Sequence, residues 1–460
     1  MSKKEKASTP TFQELILANL RKRAPRGNDA GVYEISSTDE EVLSKIQYVL
    51  TTGNPAFDEI VGGMPFGRVV EVYGLEGCGK TALAIRCAAR AERGFVSEII
   101  RDKDDNVTYR QLEPDEFEMG VVYIDNERSL DDDRKLIVDG HRVKTGLAYC
   151  DTVDKLFKQI DDSILTIEAV EKSAEGRKKL HFLVIIVDTI ASTSNKQELA
   201  RAWGKADFNR APQQYSEGFR KIVSKVNTYN VCLICTNQVR VNFKAAQQAQ
   251  QQGRQLSGTN SFEYTSFGGY ALRFAATHRI FMNAMQSTYK LLPSARFAAG
   301  IQVDFYSVKN RIKMPFRHGR MVLLLDTKQG GLHPVFSMLE TLVYLKAIEV
   351  KAKEKGCNFV CKFDLCGITP TTFDPAQLDT TLDEDDEKPK RRGGREKKEV
   401  GFKYRADWPA FYAQHQADCD ALWKAAVTGA FVTAGLDGQS EEEPDDDELL
   451  GNPALPELED

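Results

Sequence analysis

The sequence predicts an α/β fold: a P-loop core with a mostly parallel central sheet, a small N-terminal helix and a small C-terminal region. Three observations carry this. Apolar strands alternate with helical stretches from about residue 45 to 345. A GxxxxGKT motif, Gly74 to Thr81, joins one of those strands to a helix-forming run. The 460 residues are 42% apolar and 28% charged, a balance that can bury a large core and excludes collagen-like, mostly disordered and disulfide-scaffold chains.

Taken in order, the N-terminus MSKKEKASTPTF has charges but no apolar segment of a secretory signal. Residues 11 to 23 place Phe12, Leu15, Ile16 and Leu20 at helical spacing, followed by the loop RAPRGNDAG. Seven strands then follow: GRVVEVYG, MGVVYID, HFLVIIVD, NVCLICTN, HRIFMNAM, IQVDFYSVKN and GRMVLLLD. Rich in Val and Ile and joined by helical or long connections, they argue for a largely parallel sheet covered on both faces. Residues 346 to 375 form a smaller mixed region, and 383 to 398 a linker of five acids followed by a stretch with seven bases. The aromatic-bearing segment from Phe402 precedes a tail, Asp437 to Asp460, with eleven acids and no base. The expected division is therefore 1–44, 45–345, 346–436 and 437–460, without internal repeats.

Net charge is −5, so removing the eleven tail acids leaves −5 + 11 = +6 on the remainder. A mildly basic body with an acidic tail fits a polyanionic partner such as nucleic acid; a tail that serves solubility fits as well. No apolar run reaches the ~18 residues of a membrane span. Nine Cys, several inside apolar runs, predict a reduced, cytoplasmic protein with buried free thiols. Cys357, Cys361 and Cys366 lack a fourth metal ligand at suitable spacing and read as structural thiols.

The loop Gly74-Leu75-Glu76-Gly77-Cys78-Gly79-Lys80-Thr81 sits in the strand–loop–helix context that phosphate binding requires. Its glycines let backbone N–H groups point inward, and the helix N-terminus beginning near Ala82 adds partial positive charge. Lys80 would reach the terminal phosphates and the Thr81 hydroxyl would ligate Mg²⁺. Asp188 ends the strand LVIIVD and suits the second magnesium-side carboxylate, although an acid leaving a strand can also be an ordinary helix cap. Glu127, after VVYID, is a candidate general base or a carboxylate at a helix start. Asn237 and Gln238, at the tip of VCLICTNQ, could sense a γ-phosphate or be simple loop amides.

Together these motifs resemble the RecA family of recombinases, from about Thr52 to Leu339. TTGNPAFDEIVGGMPFGRVVEVYGLEGCGKT is similar to the family's approach into its phosphate loop, and YIDNERSLD to the strand bearing its catalytic Glu, here Glu127. VIIVDTIAS carries Asp188, and TNQVR matches the glutamine switch coupling ATP to DNA, here Gln238. FGGYALRFAATHRI follows the second DNA loop, and SVKNRIKMPF supplies the two bases that reach the neighbouring subunit's ATP, here Lys309 and Arg311. Cations supplied in trans to phosphoryl transfer are worth roughly 10³ to 10⁵ in rate. Read without the family, Lys309 and Arg311 fit a solvated strand edge equally well. The N-terminal helix occupies the place where family members dock on the next protomer, though packing on its own body serves too.

The resemblance implies two DNA loops. The first, near 198 to 212, interleaves Arg201, Trp203, Lys205, Phe208 and Arg210; the second, near 240 to 269, carries Arg240, Phe243, Lys244, Arg254 and Phe262 among Gln and Gly. Cations for phosphates and aromatics for stacking are what a single strand needs, whereas either loop alone reads as a solvated surface loop. Departures from the bacterial pattern are a segment inserted between Phe95 and Glu118, a longer Gln-rich second loop, and a missing base-stacking Tyr. Asp131 is then the candidate adenine contact, and GGLHPVFSMLE resembles the base-flanking turn of UvsX-type phage proteins with its aromatic displaced to Phe336.

The expected function is an ATP-dependent DNA recombinase using ATP and Mg²⁺. It would form a homo-oligomeric helical filament on single-stranded DNA and pair it with double-stranded DNA. Single-strand-binding and mediator proteins would be further partners, and the compartment a bacterial host's cytoplasm if phage- or plasmid-encoded. A hexameric RecA-fold helicase shares the P-loop and both carboxylates and is the alternative; a DNA scaffold with ATP as a structural ligand is a third reading.

Overall fold

A computed structural model of the chain describes residues 46–101, 107–130, 137–172, 179–195, 210–242, 247, 264–292, 295–325, 331–353, 356–363 and 400–428. The chain divides into two units, 1–47 and 48–460, and of the first only Ile46 and Gln47 are described. The helix expected over 11–23, Arg201, Trp203, Lys205, Phe243, Lys244, Arg254, Asp131, Cys366, the 383–398 linker and the acidic tail lie outside the described residues.

The architecture is α/β around a ten-stranded sheet. Its strands are β1 (Arg68–Gly74), β2 (Phe117–Asp125), β3 (Gly146–Ala148), β4 (Leu180–Asp188) and β5 (Val231–Val241). They continue with β6 (Tyr264–Ser266), β7 (Ala276–Tyr289), β8 (Gly300–Lys309), β9 (Arg317–Leu324) and β10 (Gly331–Leu332). The spatial order is β10-β9-β8-β7-β1-β5-β4-β2-β3, with β6 paired to β5. All seven strands read from the sequence are present. From β7 to β3 the pairs are parallel, whereas β8, β9 and β10 extend the sheet antiparallel. The reason is local: the connections 290–299 and 310–316 are too short for a parallel crossover, which takes a dozen or more residues.

The central strands are apolar on both faces because each face is covered. In β4, Phe182, Val184 and Ile186 join one core while Leu183, Ile185 and Val187 join the other. Each such burial is worth about 1.5–3 kcal/mol against exposure. The first core takes in α1 (Pro55–Val61) and α2 (Lys80–Glu92); the second takes in α3 (Val153–Lys172), α4 (Arg210–Thr228) and α5 (Tyr270–Ala275). A third core joins Tyr289, Val322 and α6 (Pro334–Tyr344) to a small sheet, Ile348–Lys353, Gly356–Cys361 and Gly401–Phe402. Helices α7 (Trp408–Gln414) and α8 (Gln416–Thr428) complete it around the fully buried Trp408.

The inserted segment is a β-hairpin. Val96–Arg101 pairs antiparallel with Val107–Gln111 and, on its other edge, with Tyr48–Leu50. Seven described cysteines, Cys361 among them, are free and buried. No helix among the described residues is long and apolar enough to cross a membrane.

Candidate active site

Parallel strands place their carboxyl ends on one edge, and the sheet order decides which tips meet. β5 lies between β1 and β4, and β4 lies between β5 and β2. Register pairs Gln238 with Gly74 and Asp188 with Asp125. A cleft of about 960 Å³ opens at this edge, lined by the whole run Gly74 to Ala82 together with Glu127, Asp188 and Gln238.

The loop's shape follows from its glycines. A Cβ on Gly74 would lie 1.9 Å from the Met282 carbonyl oxygen, so only glycine lets β7 pass there. Gly77 and Gly79 hold φ 71° and 81°, the left-handed region where side chains are strained. Gly79 is also the N-cap of α2 and provides no side-chain cap, so the helix's first amides stay available to an anion. Lys80 Nζ donates to the Gly74 and Leu75 carbonyl oxygens at 3.0 and 2.6 Å, which holds its ammonium over the loop. Cys78 Sγ donates to the Leu75 carbonyl at 2.9 Å, and burial raises its thiol pKa, so it acts as packing and not as a nucleophile.

Asp188 is 1% exposed and its two oxygens are each held. Tyr123 Oη donates to Oδ2 at 2.7 Å and Thr236 Oγ1 to Oδ1 at 2.5 Å. Burial, then the Asp188 charge, push the Tyr123 pKa well above its usual value, so the phenol keeps its proton and remains a donor. Neither residue was singled out from the sequence; each is a hydroxyl interrupting an otherwise apolar strand, which is the signal that could have found them. The β2 tip is tied to β4 by Asn126 N and Glu127 N, which donate to the Asp188 carbonyl at 2.7 and 3.3 Å. Asp125 then turns the chain by accepting from Ser129 N and Leu130 N, both at 3.2 Å. Glu127 is left exposed, and Gln238 Nε2 donates to its Oε1 at 2.8 Å.

Several expectations are corrected. Asn237 does not face the cleft: it is fully buried, and its Nδ2 donates to Glu71 Oε1 and to the Phe267 carbonyl, both at 3.0 Å. Period-two alternation explains this, since adjacent residues at a strand tip point to opposite faces. Phe336 is 6% exposed in the third core, one turn into α6 beside Tyr289, so it does not flank a base. Gly331 and Leu332 of that segment do line the cleft, as do Ile137 and Val138. Arg210 is the first residue of α4, not part of a loop. Arg240 lies within β5, exposed, with its guanidinium 5.5 Å from the Phe267 ring. The base of the second loop is thus a short antiparallel pair, Val239–Val241 with Tyr264–Ser266.

Lys309 and Arg311 are not brought to this cleft. Lys309 Nζ donates to the Arg273 and Ala276 carbonyls at 3.3 and 2.6 Å, and its pKa is lowered by burial and then by Arg311. Arg311 is exposed at the end of β8. For Mg²⁺, Thr81 and Asp188 offer the hard oxygen donors that ion takes, in the same cleft as the Gly74–Lys80 loop.

Comparison with known proteins agrees with this geometry. The RecA N-terminal domain family matches residues 28–109. Protein RecA of Aquifex aeolicus (strain VF5) is 26% identical over 329 residues, covering 70% of this chain and 76% of that protein. Protein RecA of Nocardia farcinica is 25% identical over 327 residues, 69% and 76% of the two chains. That of Thermus aquaticus is 26% identical over 311 residues, 67% and 75%. A family match that runs into the phosphate loop and relatives aligned over most of both chains show that this chain, whose sheet tips assemble the cleft described above, is similar to the RecA proteins.

Proposed function

We propose that the protein is a DNA-dependent ATPase that polymerises on single-stranded DNA and catalyses homologous pairing and strand exchange. The observation that carries this is the continuity of β5. Its tip residue Gln238 touches Glu127, its backbone carbonyl accepts from Phe267 N at 3.1 Å, and the strand runs on to Arg240 at the root of the second loop. A displacement of Gln238 toward a γ-phosphate would therefore be felt at the loop base.

The roles follow from position. The amides of the Gly74–Thr81 loop and Lys80 hold the phosphates of ATP. Thr81 and Asp188 would hold Mg²⁺, which neutralises phosphate charge. Glu127 takes the proton of the attacking water, and Arg311 with Lys309 serve a neighbouring copy's nucleotide. Arg240 and the two DNA-binding segments read from the sequence, near 198 to 212 and near 240 to 269, bind DNA, with the cytoplasm as the working compartment.

The test is ATP turnover with and without single-stranded DNA, imaged in parallel by negative stain. Turnover that rises sharply with DNA, alongside open helical polymers, supports the reading. Turnover indifferent to DNA, or closed rings, overturns it; rings would return the chain to the helicase class.

A further inference from the structure

Arg86 is a charged residue in an apolar stretch of α2, 3% exposed between the buried Ile85 and Cys87, and every one of its five N–H groups is used. Nε donates to the Thr52 carbonyl at 2.7 Å and Nη2 to the Gly53 carbonyl at 3.2 Å. Nη1 donates to the Leu332 carbonyl at 2.9 Å, and the fork of Nη1 and Nη2 grips the two carboxylate oxygens of Asp139 at 3.3 and 2.9 Å. Asp139 is in the turn of a second, smaller hairpin, in which Ile137–Val138 pairs antiparallel with His141–Arg142. Its φ of 48° and the 75° of Gly140 are the two positive values of a type I′ turn, which Asp-Gly suits. The far side of this hairpin is tied to the last residue of α2: Glu92 pairs with His141 Nε2 at 2.8 Å and accepts from Lys144 N at 2.9 Å and from Thr145 Oγ1. An apolar side chain at position 86 would avoid the desolvation cost of a buried charge. What the guanidinium adds is a fixed link among three segments that the sequence keeps far apart.

Two of those segments are walls of the cleft. Ile137 and Val138 line it, as do Gly331 and Leu332, and Arg86 lies about 9 Å along the helix axis from Lys80. One side chain therefore sets the separation of two wall segments away from the phosphate loop. We infer that Arg86 and Asp139 are positioning residues that keep this end of the cleft formed in the free protein. A ligand with an apolar ring then meets walls already in place, and less ordering cost falls on its binding. The clamp acts on the walls and not on the phosphate loop, so its loss weakens binding of the ring and leaves binding of the phosphates alone. For its ligand the inference rests on the ATPase reading; the clamp itself is a property of the protein without ligand.

The experiment uses the full chain in two arms, one without ligand and one kinetic. Asp139→Asn is the informative variant, because Asn-Gly favours the same type I′ turn and only the charge gripped by Arg86 is lost. Without ligand, amide exchange over 137–145 should quicken by about tenfold while exchange in α4 is unchanged. With ATP, KM should rise by about tenfold and kcat stay within about threefold. Inhibition by inorganic triphosphate, which has no ring, should keep its constant. Exchange at the unaltered rate overturns the clamp. Faster exchange with an unchanged KM, or with triphosphate inhibition weakened as much as KM is raised, overturns its role at the ring end of the cleft. If the unaltered chain turns over no ATP, the ATPase reading fails and the exchange arm decides the clamp by itself. Arg86→Lys, which keeps the charge and gives up the fork, should show the same split; if that buried substitution prevents folding, Asp139→Asn decides alone.

Discussion

Gln238 Nε2 and Glu127 Oε1 are 2.8 Å apart although their strands are not neighbours: β5 and β2 are separated by β4. The bond links residues on either side of the strand that ends in Asp188, and all three side chains line the cleft. A carboxylate oxygen that accepts from an amide has less lone-pair density to offer a water proton. The candidate sensor and candidate base thus hold each other, and whatever draws Gln238 toward a phosphate also frees Glu127.

Gln238→Ala should separate turnover from DNA. Without the amide, Glu127 no longer waits on β5, and Phe267 no longer hears of the nucleotide. The ratio of ATP turnover with and without single-stranded DNA should fall to about one, while nucleotide affinity stays within about a factor of ten. Glu127→Gln provides the contrast, lowering both rates by about 10² to 10⁴. DNA stimulation that survives in Gln238→Ala would remove the switch from this residue.

Tyr123→Phe deletes one of the two side-chain hydroxyls that hold Asp188. In a site 1% exposed, an unmet carboxylate oxygen costs about 1–3 kcal/mol. Urea midpoints should fall accordingly, and the Mg²⁺ concentration needed for tight nucleotide binding should rise because the carboxylate is no longer pre-oriented. An unchanged Mg²⁺ dependence would mean that Asp188 is positioned by Thr236 and its backbone alone.

Arg279→Met isolates a different buried charge. Glu71 is fully buried in β1, with Oε2 accepting from Arg279 Nε at 2.6 Å and Oε1 from Asn237. Removing the cation leaves a buried carboxylate with a single amide donor, which costs about 3–5 kcal/mol. Denaturation should show that loss, and the double variant Arg279→Met with Glu71→Leu should recover part of it; no recovery would mean the pair is not the source.

Much of this is readable in the sequence, and the failures have separate physical causes. The seven strands, the phosphate loop, and Asp188, Glu127 and Gln238 at one edge follow from apolar runs ending in polar residues, a pattern that burial on both faces imposes. The antiparallel half was not foreseen because strand direction depends on connection length, which a run of Val and Ile does not encode. Asn237 and Phe336 were misplaced because each is one step off in phase, one on a strand and one on a helix, and a single step moves a side chain to another face. Tyr123 and Thr236 went unnoticed because partners of a buried carboxylate come from adjacent strands, and adjacency in a sheet is not adjacency in sequence.

His278 should make the fold acid-sensitive. It is fully buried in β7, and burial, opposed by the Asn310 side chain and reinforced by Arg68, Arg311 and Lys309, takes its pKa from 6.5 down to about 3. The unfolded chain gains the proton near 6.5 and the folded chain only near 3. Between those values the unfolded state binds more protons, so the contribution is intact above pH 6.5 and is lost as pH falls toward 3. At 1.36 kcal/mol per unit, this one residue should remove about 2 kcal/mol between pH 7 and pH 5. His278→Gln, which has nothing to protonate there, should flatten the slope of stability against pH by that amount whatever it does to stability at pH 7. Parallel urea midpoints for the two proteins from pH 7 to pH 5 would assign the acid loss to other groups.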